Sequence, residues 1–181
     1  METRYRSERS LTLSGFFDLM ETLWQKCGHN EPIFREPDLT NWEQYPCITY
    51  HVVAREPAMK ERKPRQRETI PDPDNPDRFI TLLGQMFDYI IQFDIWAKAH
   101  RQADDLLDKF EDFILIYTPY FMQMGVNQLV FERQLEDQVV TAWRDPVVNR
   151  RLQYALRFER ITPIVLSQIE RILIDADLDA Q

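Results

Sequence analysis

The sequence predicts an α+β fold, a mostly antiparallel sheet with helices packed on one face, and three observations carry that reading. Two stretches repeat apolar residues at three- and four-residue steps, as amphipathic helices do. Several others alternate apolar and polar residues with period two, as half-buried strands do. No strand–helix–strand series repeats, so nothing asks for a doubly wound parallel sheet. The elements run α-β-(arm)-β-α-β-β-α in a single domain over residues 1–181, with an arm projecting at residues 58–78.

The first helix holds Leu13, Phe16, Phe17, Met20, Leu23, Trp24 and Cys27 on one stripe. Thr12 or Ser14 can cap its start, and Gly28 supplies the left-handed residue that ends many helices. Between His29 and Pro46 the periodicity vanishes, so this segment reads as an ordered connection laying Ile33, Phe34, Trp42 and Tyr45 over the core. Ile48, Tyr50 and Val52 then alternate with Thr49, His51 and Val53, a strand bounded by Pro46 and Pro57.

Ala58 to Arg78 differs from the rest. It contains Pro64, Pro71, Pro73 and Pro76 and almost no apolar residues. The stretch from Arg55 to Arg67, which runs into it, is basic: Arg55, Lys60, Arg62, Lys63, Arg65 and Arg67 outnumber Glu56 and Glu61 in an otherwise acidic chain. A loop longer than about 12–15 residues without structure of its own is usually functional or disordered. The expectation is a mobile arm that docks on protein, with a merely solvated loop as the bland alternative.

Phe79 to Ala99 reads as one or two strands, with Gly84 marking a bulge or bend. Phe87, Tyr89, Ile91, Phe93, Ile95 and Ala97 line one face of it. A second helix presents Ala103, Leu106, Leu107, Phe110, Phe113, Ile114 and Tyr117 inward. Its opposite face carries Asp104, Asp105, Asp108, Glu111 and Asp112; Pro119 kinks or breaks it, and Gly125 stops it. Strands follow over Val126–Glu136 and Arg151–Arg160, joined through the turn signal Trp143-Arg144-Asp145-Pro146. Thr162 as cap and Pro163 at the first helical position then predict a C-terminal helix through Leu173, fading into an acidic tail.

Hydrophobic residues make up 44% of the 181, enough for a sizeable core, and the formal net charge of −8 argues against a nucleic-acid binder acting through overall charge. No apolar run approaches the ~20 residues of a membrane helix, and no apolar segment of signal-peptide type follows the charged first residues. With only Cys27 and Cys47 there is no disulfide framework, which suits a reducing cytoplasm.

The search for chemistry returns little. Gly15, Gly28, Gly84 and Gly125 lie too far apart to cradle a phosphate, and Ser14-Gly15 lacks the first glycine of a nucleophile elbow. Cys27, His29, Cys47 and His51 could suit zinc as a set of donors, but neither pair has zinc-site spacing. The plainer reading is a buried Cys27 and a strand His51. The carboxylates Asp104 to Asp112 read as a solvated helix face, and His100 has no evident partner. The basic arm lacks aromatics for stacking on bases. The sequence therefore points to a binding protein, with no catalytic residue, cofactor or metal ligand assigned.

From Gly84 onward the chain resembles the tail-terminator (tail-completion) proteins of tailed bacteriophages. Gly84-Gln-Met-Phe-Asp-Tyr-Ile-Ile-Gln-Phe-Asp-Ile-Trp-Ala-Lys98 is similar to their long strand, and Ala103-Asp-Asp-Leu-Leu-Asp-Lys-Phe-Glu-Asp-Phe113 to their main helix. Tyr117–Val126 and Arg151–Arg160 match the later hairpin in position and character. The resemblance covers roughly residues 84–162 and rests on patterns of strand and helix; the family has no active site to carry over, and the arm is long for it. It implies a ring, commonly a hexamer, that caps the tail tube and joins it to the neck. Its partners would be further copies of itself, the tube protein, a neck or head-completion protein and, in a contractile tail, the sheath protein. Its place would be the virion's tail–neck junction, assembled in the bacterial cytoplasm, with DNA only as passing cargo. On that reading the strand Phe87–Ala97, two-sided near Ile90 and Trp96, suits a subunit seam, and the arm orders against an acidic surface on assembly. The alternatives are another head–tail connector, such as a stopper or adaptor, and a small hydrolase using Asp104 to Asp112.

Overall fold

The computed structural model describes residues 11–35, 45–60, 62–140 and 146–165. Among them two helices and a mixed sheet of seven strands form an α+β arrangement. Helix α1 spans Leu13–Lys26, and the Thr12 side chain caps it by accepting from the Gly15 N–H at 3.1 Å. Gly28, with φ +85°, lets the chain leave the helix in the left-handed region. Helix α2, His100–Gln123, keeps Pro119 inside its last turns.

The strands are β1 Ile33–Arg35, β2 Cys47–Pro57, β3 Arg65–Asp72, β4 Asn75–Ala97, β5 Val126–Gln134, β6 Gln138–Val140 and β7 Val147–Val165. The main path through the sheet is β1-β2-β4-β7-β5, with β3 on β4 and β6 on β7. All pairings are antiparallel except β1 on β2. Strand β4 has 23 residues, roughly 75 Å of extended chain, several times the usual strand length.

The core joins Phe16, Phe17, Met20 and Trp24 of α1 to Leu106, Phe110, Phe113 and Phe121 of α2. Against them lie alternate residues of β4, from Tyr89 to Ile95, and of β7, from Leu152 to Phe158. Phe16 meets Phe17, Phe121 and Phe158 edge-on at 5.2–5.8 Å between ring centres. Trp24, also fully buried, donates its indole N–H to the Glu31 carbonyl at 2.7 Å.

Four expectations need correction. The arm at 58–78 is not a structureless loop: irregular among its described residues before position 65, it becomes β3 from Arg65 and then the first residues of β4. The hairpin turns at Pro73–Asp74, where the Asp72 carboxylate accepts from the Asp74 N–H at 2.9 Å. Strand β3 escapes a periodicity reading because its side chains are mostly exposed; its conformation is imposed by the ladder to β4. Second, β4 is one strand whose register with β7 runs unshifted through Gly84; the irregularity beside it lies in β3, between Gln66 and Glu68. Third, Thr162 and Pro163 open no helix, because Thr162–Val165 continue β7 opposite Leu83 to Ile80. Fourth, Ile33–Arg35 is a short parallel strand, and β6 is a strand with no counterpart in the expected order. The remainder of the expected C-terminal helix, its acidic tail, Trp42 and the segment Trp143-Arg144-Asp145 lie outside the described residues.

Replacing Phe16 by Ala should cost about 3–5 kcal/mol, since a fully buried ring linking both helices and β7 would leave a cavity. Chemical unfolding monitored by circular dichroism checks this; a cost under about 1 kcal/mol would mean the core collapses around the gap.

Candidate functional site

The basic segment does not act as a unit. Arg55 lies over the Phe87 ring at 4.3 Å and near Tyr89 at 5.5 Å, a cation–π contact at the edge of the core. Arg67 pairs with Glu159 of β7 directly across Gly84. A Cβ at position 84 would fall within contact of both side chains, so the glycine makes room for the bridge. Arg65 reaches the Lys60 carbonyl at 3.4 Å, and the Arg62 carbonyl accepts from Gln85 Nε2 at 2.9 Å. These backbone contacts hold the turn against β4. Lys60, Arg62, Lys63 and Arg65 are exposed and form no ion pair among the described residues.

The acidic helix face divides in the same way. Asp104 accepts from Arg150 Nε at 2.9 Å, and the same guanidinium reaches Asp137 Oδ2 at 3.0 Å and His100 Nδ1 at 3.2 Å. Arg150 is buried at the helix-facing parity of β7 and ties the start of α2 to the loop between β5 and β6. Sequence reasoning missed it, although a charge in register with Leu152 and Tyr154 had to find partners inside. Glu111 is half-buried; burial first, then Asp108 and Asp112, hold its carboxyl above the ordinary value. Asp105, Asp108 and Asp112 remain exposed and form no ion pair among the described residues.

The other face of the sheet carries a polar seam, also unforeseen. Arg133 Nε donates to Gln153 Oε1 at 2.9 Å, and Gln153 Nε2 donates to Gln92 Oε1 at 3.1 Å. Gln92 and Asn149 side-chain amides both donate to Asp94, at 3.1–3.2 Å, and His51 Nδ1 lies 3.5 Å from it. Asp94 is only 4% exposed, so these donors stand in for the water its oxygens would otherwise bind. Farther along, Arg157 binds Asp88 and Trp96 donates to Thr49. The alternation of β4 marked these residues as polar but not as buried.

The zinc-type donors are scattered. Cys27 donates to the Tyr117 hydroxyl at 3.0 Å, His29 stacks on Trp24, and Cys47 is buried in β2, where burial pushes its thiol up to about 12. Cys27 is exposed, against the expected burial on the helix stripe. Among the described residues no group of three or more His, Cys, Asp and Glu is placed to hold a metal. No described helix is long and apolar enough to cross a membrane.

What remains unpartnered is apolar as well as charged. On the last turns of α2, Leu115 is 76% and Ile116 67% exposed, with Tyr120 and Met122 beside them. At 100° per residue, Asp105, Asp108, Asp112, Leu115, Pro119 and Met122 fall on one outward stripe, acidic in its first half and apolar in its second. Comparison with protein-family models and with curated proteins finds no match. The functional reading therefore rests on these surfaces.

Two outcomes follow. Asp94→Ala should cost about 3 kcal/mol, because buried amide donors lose their shared acceptor; urea unfolding measures it, and a neutral result would show that the seam is well hydrated. Glu111→Gln should raise the urea midpoint at neutral pH but not near pH 4. The folded carboxyl binds its proton more tightly than the unfolded one, so wild-type stability falls as pH rises through the folded value. A gain of the same size at both pH values would point to packing instead.

Proposed function

We propose that this chain is a structural subunit of a phage tail, a tail-terminator-like protein that closes the end of the tail tube as a ring and joins it to the neck. In this reading residues 1–181 are one domain, with α1 and α2 on one face of the sheet. The observation that supports it most is the strand extension. Neither β3 nor the part of β4 before Phe87 contributes to the helix-packed core, yet β3, β4 and β7 stay laddered there. Ile80, Thr81 and Leu82 within this extension are buried, whereas β3 at its margin is mostly exposed, so the extension is a packed part of the sheet with one strand offered to a neighbour. The body meanwhile shows an unpartnered helix face.

A subunit that carries two different contact surfaces makes heterologous contacts, which close into rings when the rotation per subunit divides a full turn. A ring that matches a tube on one side only would halt further stacking, and needs surface complementarity with no chemistry. Partners in this reading are further copies of the chain, the tube protein on one side and a neck or head-completion protein on the other. A sheath protein would join them in a contractile tail.

The test is electron microscopy of the purified protein, alone and mixed with isolated tail tubes. The expected result is a ring, six-fold in the reading favoured here, at the tube end, with tubes of uniform length. A single copy per tube end, or tubes that keep elongating in its presence, would overturn the proposal.

A further inference from the structure

We propose that the outward face of α2 receives the basic residues Lys60, Arg62, Lys63 and Arg65, with Met59 beside them, of a second copy of this chain, in a head-to-tail contact. The inference rests on the ring reading above for its closure, but the contact itself is argued from the two surfaces. On the helix, Asp105, Asp108 and Asp112 stand free beside Leu115, Ile116 and Met122. On the hairpin, Lys60, Arg62, Lys63 and Arg65 are exposed and form no ion pair among the described residues, Arg65 donating only to the Lys60 carbonyl, and Met59 beside them is 81% exposed. Each surface joins an apolar element to one sign of charge, and the signs are opposite.

Two features favour a copy of the same chain over another partner. With a formal net charge of −8, two copies repel unless their contact brings a positive region against carboxylates, and Arg55–Arg67 is the concentrated positive stretch of the chain. Within one copy the two surfaces are not joined by any hydrogen bond or ion pair among the described residues, and β3 lies outside the core that α2 builds. Each therefore remains available to a neighbour. Arg101 on α2, and Glu56, Glu61 and Glu68 along the basic stretch, reduce the two charges without reversing their signs; Lys109 is already paired with Glu31 and Asp104 with Arg150.

A pairing of this kind is partly desolvated by its apolar half, so its ion pairs are stronger than solvent-exposed ones yet still screened by salt. It also predicts directionality, because each copy offers its hairpin to one neighbour and its helix to the other.

The experiment uses two full-length variants. One carries Lys60→Glu, Arg62→Glu, Lys63→Glu and Arg65→Glu; the other carries Asp105→Lys, Asp108→Lys and Asp112→Lys. All these positions are exposed, and thermal unfolding beside the wild type checks that both variants fold. Self-association is followed by sedimentation velocity at low salt and at tube ends by electron microscopy. Wild-type association should weaken by roughly tenfold or more as salt rises from about 50 to about 300 mM. Each variant alone should fail to associate. Their equimolar mixture should recover, because each reversed surface then meets its complement on the other variant. A milder set, Asp105→Asn, Asp108→Asn and Asp112→Asn, should weaken association without adding repulsion, and serves if the lysine variant folds poorly. Rings that persist in both reversed variants, or a mixture that does not recover, would overturn the pairing while leaving the ring reading in place. A wild-type chain that stays monomeric both in solution and at tube ends would overturn both, and binding of the basic variant set to a different tail protein alone would reassign the surface to that partner.

Discussion

The antiparallel ladder between β4 and β7 holds its register without a shift from Ile80↔Val165 to Ala97↔Val148. Because side chains alternate along a strand, a slip of one residue would turn every core residue of one strand to the opposite face. Tyr89, Ile91, Phe93 and Ile95 face the helices only while Leu152, Tyr154, Leu156 and Phe158 do so beside them. The same register brings Gln92 to Gln153 and Asp88 to Arg157 on the other side, and sets Asn149 opposite Trp96, from where its amide reaches Asp94 diagonally. Core and seam are thus two consequences of one pairing. The seam also penalises error, since a slipped register would strand the buried Asp94 carboxylate without donors.

Charge is sorted by whether the fold consumes it. Arg150, Arg157, Arg67 and Arg55 are held by carboxylates or aromatic rings of the same chain. Arginine suits such sites because its planar fork can serve several acceptors at once, as Arg150 does between Asp104, Asp137 and His100. The lysines of the turn and the outer aspartates of α2 are left over. Surface ion pairs contribute little to folding, so the leftover charges are free to be used between molecules.

Much of the fold was legible in the sequence because burial writes its own period. Helix α1 with its Thr12 cap, the body of β4 and the inward residues of β7 are all recovered from spacing alone. The hairpin was not, since Arg65–Asp72 has no buried face from which a period could arise, and its proline content reads as loop. The last residues of β7 misled for a related reason: Thr162-Pro163 is a sound helix start locally, but the partner strand had already extended that far. Of the candidate surface residues, all could be named, but not sorted. Nothing local in Asp104 or Arg67 distinguishes them from their neighbours; their partners, Arg150 and Glu159, lie far along the chain.

The strand extension also has exposed backbone. The outer side of β3, and that of β7 beyond Phe158, pair with no strand among the described residues. Exposed edges of this kind can recruit further strands and grow into aggregates. Both carry proline, Pro71 in β3 and Pro163 in β7, each removing a backbone donor from its strand. An incoming strand would therefore meet a gap in the row of hydrogen bonds on either flank. Each edge of the extension is thereby a poorer template for an added strand, which favours contacts made through side chains, geometrically selective and reversible, over growth by backbone pairing.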